Sequence, residues 1–101
     1  MFGIRLSFLR CQAGLTQAQL GAKLHISAGA LGMYEQGRRM PSLRIVTEIA
    51  EEFGVSCDFL LSGRGLTERE AAMELMVILF ASLAQEHDGH TLKRILNQMR
   101  T

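Results

Sequence analysis

The sequence contains no tryptophan, one tyrosine, one proline and two cysteines in 101 residues. Each scarcity excludes something. With Pro41 as the only proline, helices elsewhere meet no obligatory break. Cys11 and Cys57 stand far apart and form no metal-spaced pair. They read as reduced thiols of a cytoplasmic protein rather than as a disulfide framework. Alternating β-branched runs bounded by turns are missing, so the chain reads as all-α. The longest apolar run, Met73 to Ala84, is interrupted by Glu74 and Ser82. It falls short of the roughly 20 apolar residues that a bilayer span needs. No secretory signal is read ahead of the first helix, and no membrane partner is expected. There is no Gly-rich phosphate loop, and the Ser, His, Cys and acidic residues are accounted for by helix caps and helix faces. No enzyme activity, cofactor or small-molecule ligand is therefore expected. His87-Asp88-Gly89-His90 offers two histidines three apart, too sparse a set to carry a metal site.

Strong charge of either sign is also missing, since the net charge is +1. Its distribution carries more information. Residues 1–65 hold seven Lys and Arg against five acids, and the remainder holds four against five. The small basic excess matters through its position, at Arg38-Arg39 and Arg44, more than through its size.

What is present is a series of short amphipathic segments with polar starts and glycine stops. Phe2 to Gln12 reads as a first helix ending at Gly14. Thr16 is placed to cap a second helix, with Leu20 and Leu24 on one face. Ser27 is placed to cap a third, with Leu31 and Tyr34 turned inward and Gly37 at the helix-ending position that favours positive φ. The short interval between the two caps forces a sharp helix-to-helix turn, the geometry that lays a second helix in the DNA major groove. Pro41 then stops the Arg38-Arg39 loop. Ser42 caps a fourth helix, whose apolar face is supplied by Leu43, Ile45, Val46, Ile49, Ala50 and Phe53. Ser56 caps a short fifth helix ending at Ser62-Gly63.

Residues 2–63 resemble the lambda-repressor-like helix-turn-helix domain of the phage Cro and C1 repressors and of the bacterial regulators of the XRE family. The resemblance is carried by Arg5-Leu6, Leu9-Arg10, Gly14-Leu15-Thr16-Gln17, Leu20, Leu24 and Ile26-Ser27. It continues through Tyr34-Glu35, Gly37-Arg38, Pro41-Ser42 and Val55-Ser56…Leu60-Leu61. It implies a five-helix bundle over 1–63 whose third helix, Ser27–Gln36, enters the major groove. It implies that Gln17 contacts phosphate and braces the reading helix. Ser27, Ala28, Gly29 and Met33 would face base edges or flanking phosphates, and Arg38, Arg39 and Arg44 would lie along the sugar-phosphate chain. Arg10 and Glu35 match a structural ion pair. Two departures stand out: His25 occupies a turn position where glycine is usual, and Gly21 replaces the usual alanine where the two helices touch. The reading surface is also poor in donors. Ala28, Gly29, Ala30, Gly32 and Met33 can touch thymine methyls but cannot make the paired hydrogen bonds that identify guanine or adenine.

Residues 64–101 read as a helical hairpin, set off at Arg64-Gly65-Leu66. Thr67-x-x-Glu70 matches a capping box opening a sixth helix to about Glu86. That helix carries two apolar stripes: Ala72, Leu75, Met76, Leu79 and Leu83 on one side, Met73, Val77, Phe80 and Ala84 on the other. Thr91 caps a seventh helix with Leu92, Ile95, Leu96 and Met99 on one face. Two surfaces are needed to cover a helix apolar on two sides. A homodimer through 67–101 is therefore expected, with Leu75, Met76, Leu79, Phe80 and Leu83 as its contacts, the alternative being a sixth helix that only covers the first bundle. The expected function is that of a dimeric, sequence-specific DNA-binding regulator, a repressor on a palindromic double-stranded operator. The alternative is an antitoxin or anti-repressor type protein-interaction module with weak DNA binding.

Overall fold

The computed structural model describes residues 2–64 and 67–84, and every regular element within them is a helix. In order these are α1 (Phe2–Gln12), α2 (Gln17–Leu24), α3 (Ala28–Glu35), α4 (Leu43–Phe53), α5 (Cys57–Ser62) and α6 (Glu68–Ala84). The all-α expectation and the five-helix bundle hold. The expected seventh helix and the His87–His90 segment lie outside the described residues.

The starts of four helices follow one chemistry. Thr16, Ser27, Ser42 and Ser56 have extended backbone, and each hydroxyl accepts the N–H three residues on, from Gln19, Ala30, Ile45 and Phe59 at 3.0–3.3 Å. Such a cap contributes about 1 kcal/mol. It matters most for α3, which has eight residues, two of them glycine, too few to hold a helix alone. Its cap and the burial of Leu31 and Tyr34 hold it in place.

The turn between α2 and α3 is tight because two residues permit it. His25 adopts φ 59°, ψ 40°, the left-handed region, with its N–H donated to the Ala22 carbonyl. Gly21 lies under Ile26: a Cβ there would stand 2.7 Å from the Ile26 carbonyl oxygen, so the approach is closer than alanine allows. Because a side chain in the left-handed region costs on the order of 1 kcal/mol, His25→Gly is expected to stabilise the fold by up to about that amount in chemical denaturation.

The core is made by Leu6, Phe8, Leu9, Leu20, Leu31, Ile49, Phe59 and Leu60, all essentially sealed from solvent. Leu43, counted on the apolar face of α4, is instead 75% exposed: it is the first residue of that helix, ahead of the buried Ile45 and Val46.

Helix α6 completes this core. Met73, Val77 and Phe80 are buried, and the Phe80 ring meets Phe8 edge-on at a centroid distance of 5.9 Å. Phe80 therefore faces inward, away from the dimer contacts with which the sequence grouped it. Leu75, Ile78 and Leu79 line the outer, exposed flank, and Met76 and Leu83 are partly buried at its margin. Polar groups fix the same register. Arg5, itself buried in α1, donates from Nε and a terminal nitrogen to the two Glu74 carboxylate oxygens at 2.9 and 2.7 Å. Its other terminal nitrogen reaches the Leu60 carbonyl at 3.4 Å. The Thr67 hydroxyl accepts the Glu70 N–H at 3.1 Å. The Glu70 carboxylate, expected at the Thr67 N–H, is found at Ser56, accepting from its N–H at 2.6 Å and its hydroxyl at 3.2 Å. The hydrophobic core thus runs across the sequence boundary drawn at residue 64. No helix among the described residues is long and apolar enough to cross a membrane.

Candidate nucleic-acid interface

Helix α3 shows one flank to solvent. Ser27, Gly29, Met33 and Gln36 are exposed and Ala28 and Ala30 half-buried, while Leu31, Gly32 and Tyr34 turn inward. Ala28 and Met33 are thus at the surface, Met33 with 41% of its area open. The Ser27 hydroxyl uses an oxygen lone pair on the Ala30 N–H, which leaves its hydrogen able to donate. A Cβ added at Gly29 would meet only the Ser27 hydroxyl, at 3.9 Å. Gly29→Ala should therefore raise stability by about 1 kcal/mol from helix propensity alone, checked by thermal unfolding.

The inner side of α3 is tied to α1 and α2 through one carboxylate. Arg10 Nε donates to Glu35 Oε2 at 2.5 Å and a terminal nitrogen to Oε1 at 3.1 Å. The other terminal nitrogen donates to the Leu15 carbonyl at 2.8 Å. Gln17 Nε2 donates to Glu35 Oε1 at 3.1 Å. Burial pulls the Arg10 guanidinium down, but the hydrogen bonds and charge of Glu35 outweigh it and hold Arg10 above its ordinary value. It stays cationic at any working pH. The Glu35 side chain is only 8% exposed. The negative charge at the end of α3 is thus neutralised and turned inward.

At the same end of α3 the chain doubles back. Gly37 has φ 74°, its N–H donates to the Tyr34 carbonyl, and the Arg38 N–H donates to the Met33 carbonyl at 3.0 Å. Arg38 and Arg39 follow this turn directly in the chain. Both are exposed, and neither side chain forms an ion pair among the described residues. Arg44 differs: it pairs with Glu48 one helical turn on, at 3.1 Å, with 73% of its side chain open. Such a surface pair contributes a few tenths of a kcal/mol, about 0.3–0.5, which a phosphate can displace. Met40 and Leu43, also exposed beside this loop, were not singled out in the sequence as surface residues. Cys11 is buried and Cys57 half-buried, neither in a disulfide. No three His, Cys, Asp or Glu side chains come together as a metal set among the described residues.

A capped two-helix unit with a tight turn, an exposed second helix and unpaired arginines at its end is the architecture of a helix-turn-helix DNA-binding domain. The Helix-turn-helix family model matches residues 6–60. The chain is 31% identical to the SPbeta prophage-derived uncharacterized HTH-type transcriptional regulator YonR of Bacillus subtilis, with 86% of this chain and 100% of that protein covered. It is also 31% identical to the HTH-type transcriptional activator BcrR of Enterococcus faecalis, over 95% of this chain but 40% of that protein. No solved structure matches. The chain belongs to the Cro/C1-type helix-turn-helix family of DNA-binding transcriptional regulators, a family of regulators rather than enzymes.

Proposed function

We propose that the chain is a sequence-specific DNA-binding regulator that acts as a dimeric repressor on a palindromic operator, with α3 in the major groove. The observation that carries this is the solvent-facing flank of α3, followed in the chain by exposed Arg38 and Arg39, which form no ion pair among the described residues, and freed of negative charge by the Arg10–Glu35 pair. Gln17, Ser27 and the two arginines hold the backbone, with Arg44 available once it leaves Glu48. Ala28, Gly29 and Met33 meet the groove floor. So bare a surface discriminates bases weakly, and DNA shape together with two linked half-sites supplies the remaining specificity. The link is assigned to the outer flank of α6, with Leu75 and Leu79 at its centre and Met76 and Leu83 at its margin. Binding across a promoter represses by occlusion, which needs no surface beyond the one described. The activator name of the Enterococcus relative supplies the opposite outcome to test.

Selection of bound fragments from random DNA, with sedimentation of the complex, tests this reading. A palindrome with half-sites about 34 Å apart, holding two chains, is expected. A single half-site with one chain removes the dimer. A promoter-reporter pair carrying the selected site should lose expression when the protein is produced; a rise would make the protein an activator. The exposed apolar flank of α6 also favours a second reading, an antitoxin or anti-repressor type module. That reading gains if the wild-type protein retains no DNA at low salt.

A further inference from the structure

Gly3 is the second residue of α1 and its φ is not positive, so no turn calls for glycine there. What calls for it is space. A Cβ on Gly3 would overlap the Glu35 carbonyl oxygen. It would also stand 2.7 Å from the Tyr34 carbonyl oxygen and 2.9 Å from the Glu35 carbonyl carbon. All three atoms are backbone, so none can swing aside as the end of a side chain could. The start of α1 thus lies directly on the last carbonyls of α3. To take up a methyl, that end of α3 has to recede by roughly 1 Å. It has room to do so, because every residue from Gln36 to Met40 is exposed. The Tyr34 oxygen is also the acceptor that closes the turn beyond α3. It takes the Gly37 N–H at 3.2 Å, while the Met33 carbonyl takes the Arg38 N–H at 3.0 Å. An unbroken line of contacts therefore runs from Gly3 through the Tyr34 carbonyl to Gly37 and the backbone of Arg38.

We propose that Gly3 is a positioning residue for DNA binding: by admitting the end of α3 against the backbone of α1, it fixes where the Arg38-Arg39 turn meets the sugar-phosphate chain. This rests on the role proposed above for the two arginines at phosphate. The bonds of Arg10 and Gln17 to Glu35 are made by side chains, which follow a small tilt of the helix end. The backbone contact at Gly3 does not follow it, and so sets the depth at which that end lies. An N–H···O bond is made within about 2.7–3.2 Å, so a displacement of this size is felt at a phosphate. Alanine is the better helix former, so any loss in Gly3→Ala comes from the contact and not from α1 itself.

The test uses a duplex retained by the full wild-type chain in selection from random DNA. Gly3→Ala is expected to bind it about tenfold more weakly near physiological salt, with the slope of log K against log salt smaller by about one. In the Arg38→Ala/Arg39→Ala background the same change is expected to cost less than about twofold, because the contacts it disturbs are already gone. In the free protein, the backbone amide signals of Gly37 and Arg38 in a 1H–15N spectrum should move in Gly3→Ala. A packing role alone would lower the thermal midpoint, leave the salt slope of the folded variant unchanged and give losses that add in the triple variant. An unchanged slope or additive losses overturn the proposal. Should circular dichroism show Gly3→Ala unfolded, trimethylamine N-oxide is added to it and to wild type alike to restore the fold. A variant that stays unfolded makes Gly3 a requirement of the fold and overturns its role in positioning. If Arg38→Ala/Arg39→Ala binds as wild type, the reading of the arginines fails and this role with it. If that variant loses affinity while Gly3→Ala binds as wild type, this role alone fails.

Discussion

Replacing Arg38 and Arg39 together by alanine is expected to weaken DNA binding about a hundredfold near physiological salt. Charge-assisted hydrogen bonds of this kind contribute about 1.5–3 kcal/mol each, and every 1.4 kcal/mol is a factor of ten. The stronger signature is the salt dependence. Each cation that neutralises a phosphate releases counterions, so loss of two should reduce the slope of log K against log salt by about two. Both side chains are exposed and outside any ion pair among the described residues, so their removal should leave thermal stability within about 0.5 kcal/mol of wild type. Arg44→Ala gives a smaller loss, because its contact must first displace Glu48. Titration of a labelled duplex at several salt concentrations measures all three variants. An unchanged slope in Arg38→Ala/Arg39→Ala would remove these arginines from the interface.

Removing either partner of the Arg5–Glu74 pair is expected to cost about 3–5 kcal/mol, the largest single-site loss of stability anticipated here. The Arg5 side chain is 5% exposed and the Glu74 side chain 20%. Deleting Glu74 leaves a guanidinium enclosed by α1, α5 and α6 with little beyond the Leu60 carbonyl to meet it. A small domain has about 5–15 kcal/mol in all, so Arg5→Ala or Glu74→Ala should lose a large part of its cooperative transition. The double variant Arg5→Met/Glu74→Leu should recover most of the loss, since an apolar pair of similar volume carries no desolvation cost. Urea unfolding of the three variants measures this. Equal losses in the double variant and the sum of the singles would mean that the two residues act independently.

The helix-turn-helix bundle and the Arg5–Glu74 clamp are visible in the sequence to different degrees. The bundle was legible because its signals are local. Each cap is a hydroxyl three residues from the N–H it accepts, and Gly14, Gly37, Gly54 and Gly63 all have positive φ at or beyond helix ends. The place of α3 followed from the same signals, and its outer flank from the positions of Leu31 and Tyr34. The family resemblance brought Arg10 to Glu35, a pair separated by 25 residues. What stayed hidden is carried by long-range partners. Arg5 and Glu74 are 69 residues apart, and nothing in either segment names the other. Glu74 looked like an interruption of an apolar run. One signal was available: Glu70, Met73, Glu74, Val77 and Phe80 share one face of α6, and two acids on a face that must be buried imply buried partners. The same oversight put Phe80 among the dimer residues. Two apolar stripes on one helix do not say which stripe the bundle takes; that was decided by the edge-on contact with Phe8 and by the Arg5 clamp.

Titration of the 15N-labelled protein with a duplex recovered by selection tests whether α3 and the two arginines form the DNA-binding face. The largest backbone amide shifts are expected at Gln17, from Ser27 to Met33 and at Arg38 and Arg39, with Leu75, Ile78 and Leu79 unmoved. Shifts concentrated on the outer flank of α6, with α3 and the two arginines silent, would contradict it.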